Sequence, residues 1–309
     1  MKLISYRAVG AIRIGCAVGE QVVDLNWAYR EKLAAEGRLR AAQIAEAFVP
    51  PDMVEFLKGG EDSLAKAKEA VAFAFASPDA ACASGIRRLS EVTLEAPVPR
   101  PGKIICVGLN YRDHIAEMGR ELPELPVVFA KLNNTVIGPE HDLPKSPASD
   151  KLDYEAELAI VIGKPTRNVK RENALSYVAG YTAANDATYR DLQRRTIQWL
   201  QGKSVDGSCP LGPWLVTADE FGDPAGHEIS LRVNGEERQR SNTSRLIFDV
   251  PYLVEFLSGL ITLEPGDVVL TGTPDGVGFG MEPQQFLKDG DVVTVRIEGI
   301  GELQNRVRA

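Results

Sequence analysis

The 309-residue chain reads as an α+β protein rich in β structure. Three observations predict this. Short apolar runs separated by Gly- and Pro-containing turns recur along the chain. The two long stretches rich in Ala, Leu, Glu and Arg both fall in its first third, and Pro97, Pro99 and Pro101 separate the two textures. Many short strands with few long helices point to a closed or rolled mixed sheet rather than a wound βαβ one.

Residues 3–9, 12–18 and 21–25 read as strands broken by Gly10 and by the Gly19-Glu20 turn. Residues 27–48 and 61–76 read as helices, divided by Pro50-Pro51 and a short helix over 52–58. The clustered prolines form a semi-rigid linker between a small N-terminal α+β domain, 1–97, and a larger domain, 98–309. Beyond them strands are expected at 104–107, 127–130, 155–162, 178–182, 229–233, 268–271 and 292–297, with helices at 187–200 and 250–258. Glu264-Pro265-Gly266-Asp267 and Lys288-Asp289-Gly290-Asp291 each precede Val-Val. This is a repeated strand-opening turn rather than an internal repeat.

The net charge of -8 offers no basic surface for a phosphate backbone and repels anionic membranes, so neither nucleic acid nor membrane is an expected partner. No apolar run is long enough to cross a bilayer, and Arg7 and Arg13 interrupt the start where a signal peptide would need one. Cys16, Cys82, Cys106 and Cys209 are scattered without a Cys-x-x-Cys pair, which suits a reducing cytoplasm and argues against zinc.

The sharpest local signal is Asp153-Tyr154-Glu155-Ala156-Glu157-Leu158-Ala159-Ile160-Val161. The period-two alternation of a strand puts Glu155 and Glu157 on one face, which Ala159 and Val161 continue into a core. Two carboxylates beside a core repel each other and lose hydration, at about several kcal/mol per uncompensated ion. Either they face solvent at the strand's mouth or something positive sits between them. A hard divalent cation such as Mg²⁺, Mn²⁺ or Ca²⁺ takes oxygen ligands of this kind. Asp186 follows an apolar strand and precedes a helical stretch, where it serves as a helix N-cap or as a further ligand.

Several motifs follow in order: Gly-x-Asn-Tyr-x-x-His-x-x-Glu at 108–117, Glu-x-Glu at 155–157, Asp186, Gly-Lys-Ser at 202–204 and Thr-Gly-Thr-Pro-x-Gly-Val-Gly at 271–278. In combination they resemble the fumarylacetoacetate hydrolase family, its acylpyruvase and 2-hydroxyhepta-2,4-diene-1,7-dioate isomerase members in particular. The resemblance runs from about Lys103 to the C-terminus. It implies a rolled mixed sheet or barrel and a homodimer. It also implies that Glu155, Glu157 and Asp186 hold Mg²⁺ or Mn²⁺, with Ca²⁺ as a substitute in vitro. His114 and Glu117 match a water-activating pair, Lys203 a catalytic lysine, and Lys131, Gln193 and Thr273 contacts to a small 2-oxo acid. The activity implied is hydrolysis of a C–C bond in an acylpyruvate-like 1,3-diketo acid through a metal-stabilised enolate. The alternative is decarboxylation or isomerisation of a 2-oxo diacid of the oxaloacetate or 2-hydroxyheptadienedioate type. A silent metal-binding scaffold is disfavoured, because every matched position carries a chemically competent residue. The charged segment 112–124 is expected to form a lid over the substrate. Gly-Lys-Ser is no P-loop, since Ile197 stands where a glycine is required, and Gly276, Gly278 and Gly280 lack dinucleotide-loop spacing.

Overall fold

Strand Ala156–Ile162 is buried at every residue, and its near-continuous apolar run places it inside a sheet covered on both faces. A computed structural model, which describes residues 1–8, 10–76, 85–113 and 121–309, sets it in a twelve-stranded mixed sheet. The main path runs Ile86–Arg88, Gln21–Asp24, Ala11–Val18, Lys2–Ala8, Cys209–Thr217, Val178–Asn185, Ala156–Ile162, Val268–Leu270, Ile104–Gly108 and Val127–Lys131. Two short strands, Thr93–Glu95 and Val136–Ile137, attach to Lys2–Ala8 and Cys209–Thr217. Neighbours are antiparallel except at Val268–Leu270 with Ile104–Gly108 and at Val136–Ile137 with Cys209–Thr217. The sheet is mixed, as expected, but open: its ends do not close into a barrel.

Each face of this sheet carries its own core. Leu158, Ile160 and Ile162 pack with Leu231, Val295, Ile297 and the helix Val250–Leu260. The first three of those partners come from a five-stranded sheet ordered Glu236–Asn242, Glu228–Val233, Val292–Ile297, Gly301–Arg308 and Leu143–Pro144. Ala159 and Val161 face the opposite way, into a core shared with the helices Leu25–Ala35, Ala41–Phe48, Met53–Lys58 and Gly60–Ala76. Among the described residues no helix is long and apolar enough to cross a membrane.

Among the differences from expectation, three concern the longer elements and the strands beside the site. The helix expected over 27–48 is two helices. Gly37, at φ 73°, ends the first one: its N–H donates to the Ala34 carbonyl and that of Arg38 to the Leu33 carbonyl, a left-handed helix terminus that glycine favours. The helix expected over 187–200 is a bridge strand Thr188–Tyr189, one turn at Arg190–Gln193, an irregular stretch and a second turn at Leu200–Lys203. The Thr196 hydroxyl, bonded to the Gln198 carbonyl and amide, gives the backbone there a non-helical alternative. Strand Cys209–Thr217 was not expected, because Pro210 and Pro213 interrupt its sequence. The sheet absorbs Pro213 in a bulge: Tyr181 opposes Val216 and Ala183 opposes Gly212, so Thr182 alone faces the residues between.

The two strand-opening turns share one device. The Asp267 carboxylate accepts the Glu264 amide at 2.7 Å, as the Asp291 carboxylate accepts that of Lys288 at 2.7 Å. Asp267 is fully buried and also holds the Lys103 amide at 2.8 Å and its ammonium at 2.7 Å, which joins the start of strand Ile104–Gly108 to the turn before its parallel partner. Replacement Asp267→Ala strands two backbone donors and is expected to destabilise by about 2–3 kcal/mol. Asp291→Ala, at a half-buried site, is expected to cost under about 1.5 kcal/mol. Denaturant melts of both variants check the ranking.

Candidate active site

The antiparallel register that pairs Ala156 with Asn185 brings the start of one central strand to the end of its neighbour. Glu155 precedes the first and Asp186 follows the second, and the Asp186 amide donates to the Glu155 carbonyl at 2.9 Å. Glu157 lies two residues along the face that Glu155 begins. Carboxylate oxygens of Glu155, Glu157 and Asp186 lie within 4.8 Å of one another. All three residues are buried, at 5%, 2% and 0% exposure, which excludes a solvated strand end. Unit charges that close repel by roughly 3–4 kcal/mol per pair at an effective dielectric of about 20.

Cations surround the cluster. The Lys203 ammonium donates to Glu155 Oε2 and Asp186 Oδ2, both at 2.6 Å. Arg190 reaches Glu155 Oε1 at 2.7 Å with Nη1 and Asp153 Oδ2 at 2.7 Å with Nε. Lys131 donates to Asp186 Oδ1 at 2.8 Å. Burial opposes the charge on Lys203, but Asp186 and Glu155 outweigh it and hold the ammonium well above its ordinary pKa. Burial pushes the Glu157 carboxyl far above the carboxylate range, reinforced by Asp186 and Glu155; Lys203 and the Gly272 amide, 2.6 Å from Oε2, pull the other way. With all four ionised, the carboxylates, counting Asp153, outnumber the three cations by one. The surplus of negative charge and the purely oxygen donor set fit a hard divalent ion held by Glu155, Glu157 and Asp186.

Glu155, Glu157, Arg190, Gln193, Lys203 and Thr273 line one cavity of about 360 Å³. Two glycines build it. A Cβ on Gly202 would lie 2.4 Å from the Gln193 nitrogen and 2.5 Å from the Tyr189 carbonyl, so glycine is what lets the Lys203 turn pack against the turn that carries Arg190 and Gln193. Gly272, at φ +101°, turns its amide onto Glu157 in a conformation that favours glycine. The structure therefore brings five expected residues, Glu155, Glu157, Lys203, Gln193 and Thr273, onto one cavity with Asp186 in the same cluster. Lys131 stands behind them: it does not line the cavity, and its ammonium meets Asp186, the Ala187 carbonyl at 3.2 Å and Ser208 at 3.3 Å. His114 and Glu117, with residues 114–120 of the expected lid, lie outside the described residues.

Sequence reasoning missed Asp153, Arg190 and Gln239. Asp153 sits two residues before Glu155, so the acidic alternation extends one step further than the pair suggested. Its carboxylate accepts from Arg190 and from the amides of Gly278 and Phe279, at 2.8 and 3.0 Å. Gln239, fully buried, accepts the Ala156 amide and donates to Thr273 Oγ1 and the Pro274 carbonyl. Arg190 Nη2 is buried with no hydrogen-bond partner among the described residues, a donor left available beside the cavity.

An open mixed sheet bearing a buried carboxylate triad, a lysine and a glycine-rich wall fits the class of enzymes that act on small molecules. Residues 103–308 match the family Fumarylacetoacetate (FAA) hydrolase C-terminal, and the chain belongs to that enzyme family. A relative named oxaloacetate tautomerase Fahd2a, mitochondrial, from Rattus norvegicus is 45% identical over 312 residues, covering 99% of this chain and 91% of its own. The solved fumarylacetoacetate hydrolase of Exiguobacterium antarcticum superposes with a TM-score of 0.80 at 38% identity, over 100% of this chain and 99% of that one. Maleylpyruvate hydrolase from Sphingobium sp. SYK-6, solved with manganese(II) ion and pyruvate, gives 0.73 at 30% identity, with 100% and 99% covered.

The raised Glu157 carboxyl fixes a pH dependence. A carboxyl whose folded pKa lies above its unfolded value stabilises at low pH and loses that contribution as pH rises. Metal-free protein should therefore lose stability from about pH 4.5 upward, where unfolded glutamate ionises. Glu157→Gln should flatten that slope, raise metal-free stability at neutral pH by on the order of 1–3 kcal/mol, and weaken Mn²⁺ binding at least about 100-fold. Thermal melts in chelator across pH, together with Mn²⁺ calorimetry, test both directions.

Proposed function

We propose that the chain is a divalent-metal-dependent tautomerase of a small 2-oxo diacid of the oxaloacetate type. The observation that carries this reading is the 45% identity, over nearly the whole of both chains, to a protein named oxaloacetate tautomerase. It favours isomerisation over the C–C hydrolysis that the motifs first suggested. The site chemistry supports it: moving a proton between carbon and oxygen needs a charged donor at the oxygen and no attacking water.

A Mg²⁺ or Mn²⁺ ion held by Glu155, Glu157 and Asp186 would polarise the keto oxygen and offset the charge that develops on it. Lys203, kept protonated by its two carboxylates, supplies a proton or a hydrogen bond to that oxygen. Arg190 Nη2 and Gln193 line the same wall and orient the acid. Thr273, fixed by Gln239, and Lys131, which holds Asp186 from behind, act on shape rather than on the proton. The carbon-bound proton is assigned, on the motif at 108–117 alone, to His114.

Hydrolysis of an acylpyruvate is the second reading, favoured by the structural likeness to maleylpyruvate hydrolase. The test follows decay of the oxaloacetate enol by ultraviolet absorbance with Mg²⁺ or Mn²⁺, with and without chelator, while pyruvate release is measured in parallel. The expected result is metal-dependent enol decay without pyruvate, slowed roughly 10²–10³-fold in Lys203→Met and lost in His114→Ala with metal still bound. Cleavage of an acylpyruvate panel with unchanged enol decay overturns tautomerisation in favour of hydrolysis.

A further inference from the structure

We propose that the outer part of this cavity is an apolar subsite, walled by Leu109, Phe129, Ile197 and Trp199, and that it selects 2-oxo diacids with a hydrophobic substituent on the carbon next to the keto group. The inference rests on the reading of the site as one for 2-oxo acids and adds what that acid carries.

The cavity divides by chemistry and by depth. Glu155, Glu157, Arg190, Gln193 and Lys203 line it as buried residues, whereas Leu109, Phe129 and Trp199 are half-buried and Ile197 is 93% exposed. Apolar side chains gathered on one side of a cavity mouth mark a ligand groove. The volume of about 360 Å³ falls within the roughly 300–1,000 Å³ of pockets that enclose drug-sized ligands. Oxaloacetate is far smaller than such ligands, and held at the buried end it leaves the apolar end to be filled by something else.

The wall is held in place at a cost. Leu109 has φ 57°, a left-handed conformation that glycine adopts freely and leucine does not. The buried Asn110 side chain clamps the next residue, accepting the Phe248 amide at 2.8 Å and donating to the Phe248 and Thr271 carbonyls at 3.0 and 2.7 Å. A strained leucine where glycine would fit is accounted for by what its side chain adds to the cavity. Trp199 lies over Gly108, where a Cβ would come within 2.7 Å of its ring, and meets Phe129 edge-on with ring centroids 5.3 Å apart. The Phe129 centroid in turn lies 5.0 Å from the Lys203 ammonium. A keto oxygen held by Lys203 therefore sets the adjacent carbon beside the aromatic wall. Tautomerisation moves one proton between that carbon and the oxygen, so the carbon can exchange its other hydrogen for a substituent and still enolise.

The test uses the full chain loaded with Mn²⁺, as wild type, Leu109→Gly, Trp199→Ala and Ile197→Ser. Calorimetry compares oxamate with N-propyloxamate, unreactive chelators that differ only in the apolar group. In parallel, kcat/KM for enol decay compares oxaloacetate with its 3-methyl and 3-propyl derivatives. Each methylene buried corresponds to a gain of about four-fold, so wild type should bind N-propyloxamate at least about 10-fold tighter than oxamate and favour the 3-propyl acid. Leu109→Gly and Trp199→Ala should each lose most of that preference, and Ile197→Ser a smaller share. Every preference is a ratio within one variant, so a partial loss of fold or metal cancels. Equal affinities for the two oxamates in wild type, or an unchanged preference in both Leu109→Gly and Trp199→Ala, overturns the proposal. Wild-type protein that prefers N-propyloxamate yet leaves every enol unaltered defeats the tautomerase reading instead and leaves the subsite standing.

Discussion

Concentrated negative charge in a dry place is the constraint on which the rest of the structure depends. Three carboxylates within 4.8 Å of one another, each almost wholly buried, form a cluster that water cannot relieve. Most features around it read as answers to that repulsion. Lys203 bridges Glu155 and Asp186, Arg190 ties Glu155 to Asp153, Lys131 supports Asp186 from behind, and the Gly272 amide steadies Glu157. With every acid ionised, negative charge exceeds positive by one, and the oxygen donors suit a small hard cation.

The scaffold explains why such a cluster survives. Glu155 and Asp186 stand at the ends of adjacent strands whose interiors are apolar and packed on both faces, so neither carboxylate can swing away to solvent. The register of those strands is specified by burial, since a slip of one residue would turn Leu158 and Ile160 out of one core and Ala159 and Val161 out of the other. Precision at the site is inherited from packing rather than built at the site itself.

Much of this was legible in the sequence. Alternation revealed the shared face of Glu155 and Glu157, and motif order tied them to Asp186, Lys203, Gln193 and Thr273, which the structure brings together. Strand 156–162 was legible because burial on two sides leaves a continuous apolar run. What stayed hidden had local chemistry that misleads. Pro210 and Pro213 disguised a nine-residue strand in the sheet, tolerable only because a bulge opposite Thr182 takes up the mismatch. Residues 187–200 have helical composition, but the demand that Gly202 lie against Tyr189 and Gln193 divides them into two turns. Asp153 and Arg190 were hidden for a different reason: an ion pair between distant segments leaves no mark of periodicity on either.

The strut from Asp153 has a thermodynamic corollary. One carboxylate touches both the arginine that orients a metal ligand and the loop that carries Phe279, so events at the rim and events at the triad share a mechanical element. Whatever free energy that element transmits is reciprocal: a ligand that tightens the ion's hold must itself be held tighter by the ion, by the same factor. On the proposed function, cation and organic acid would behave as cooperating ligands, neither affinity being a fixed property of the protein in the absence of the other.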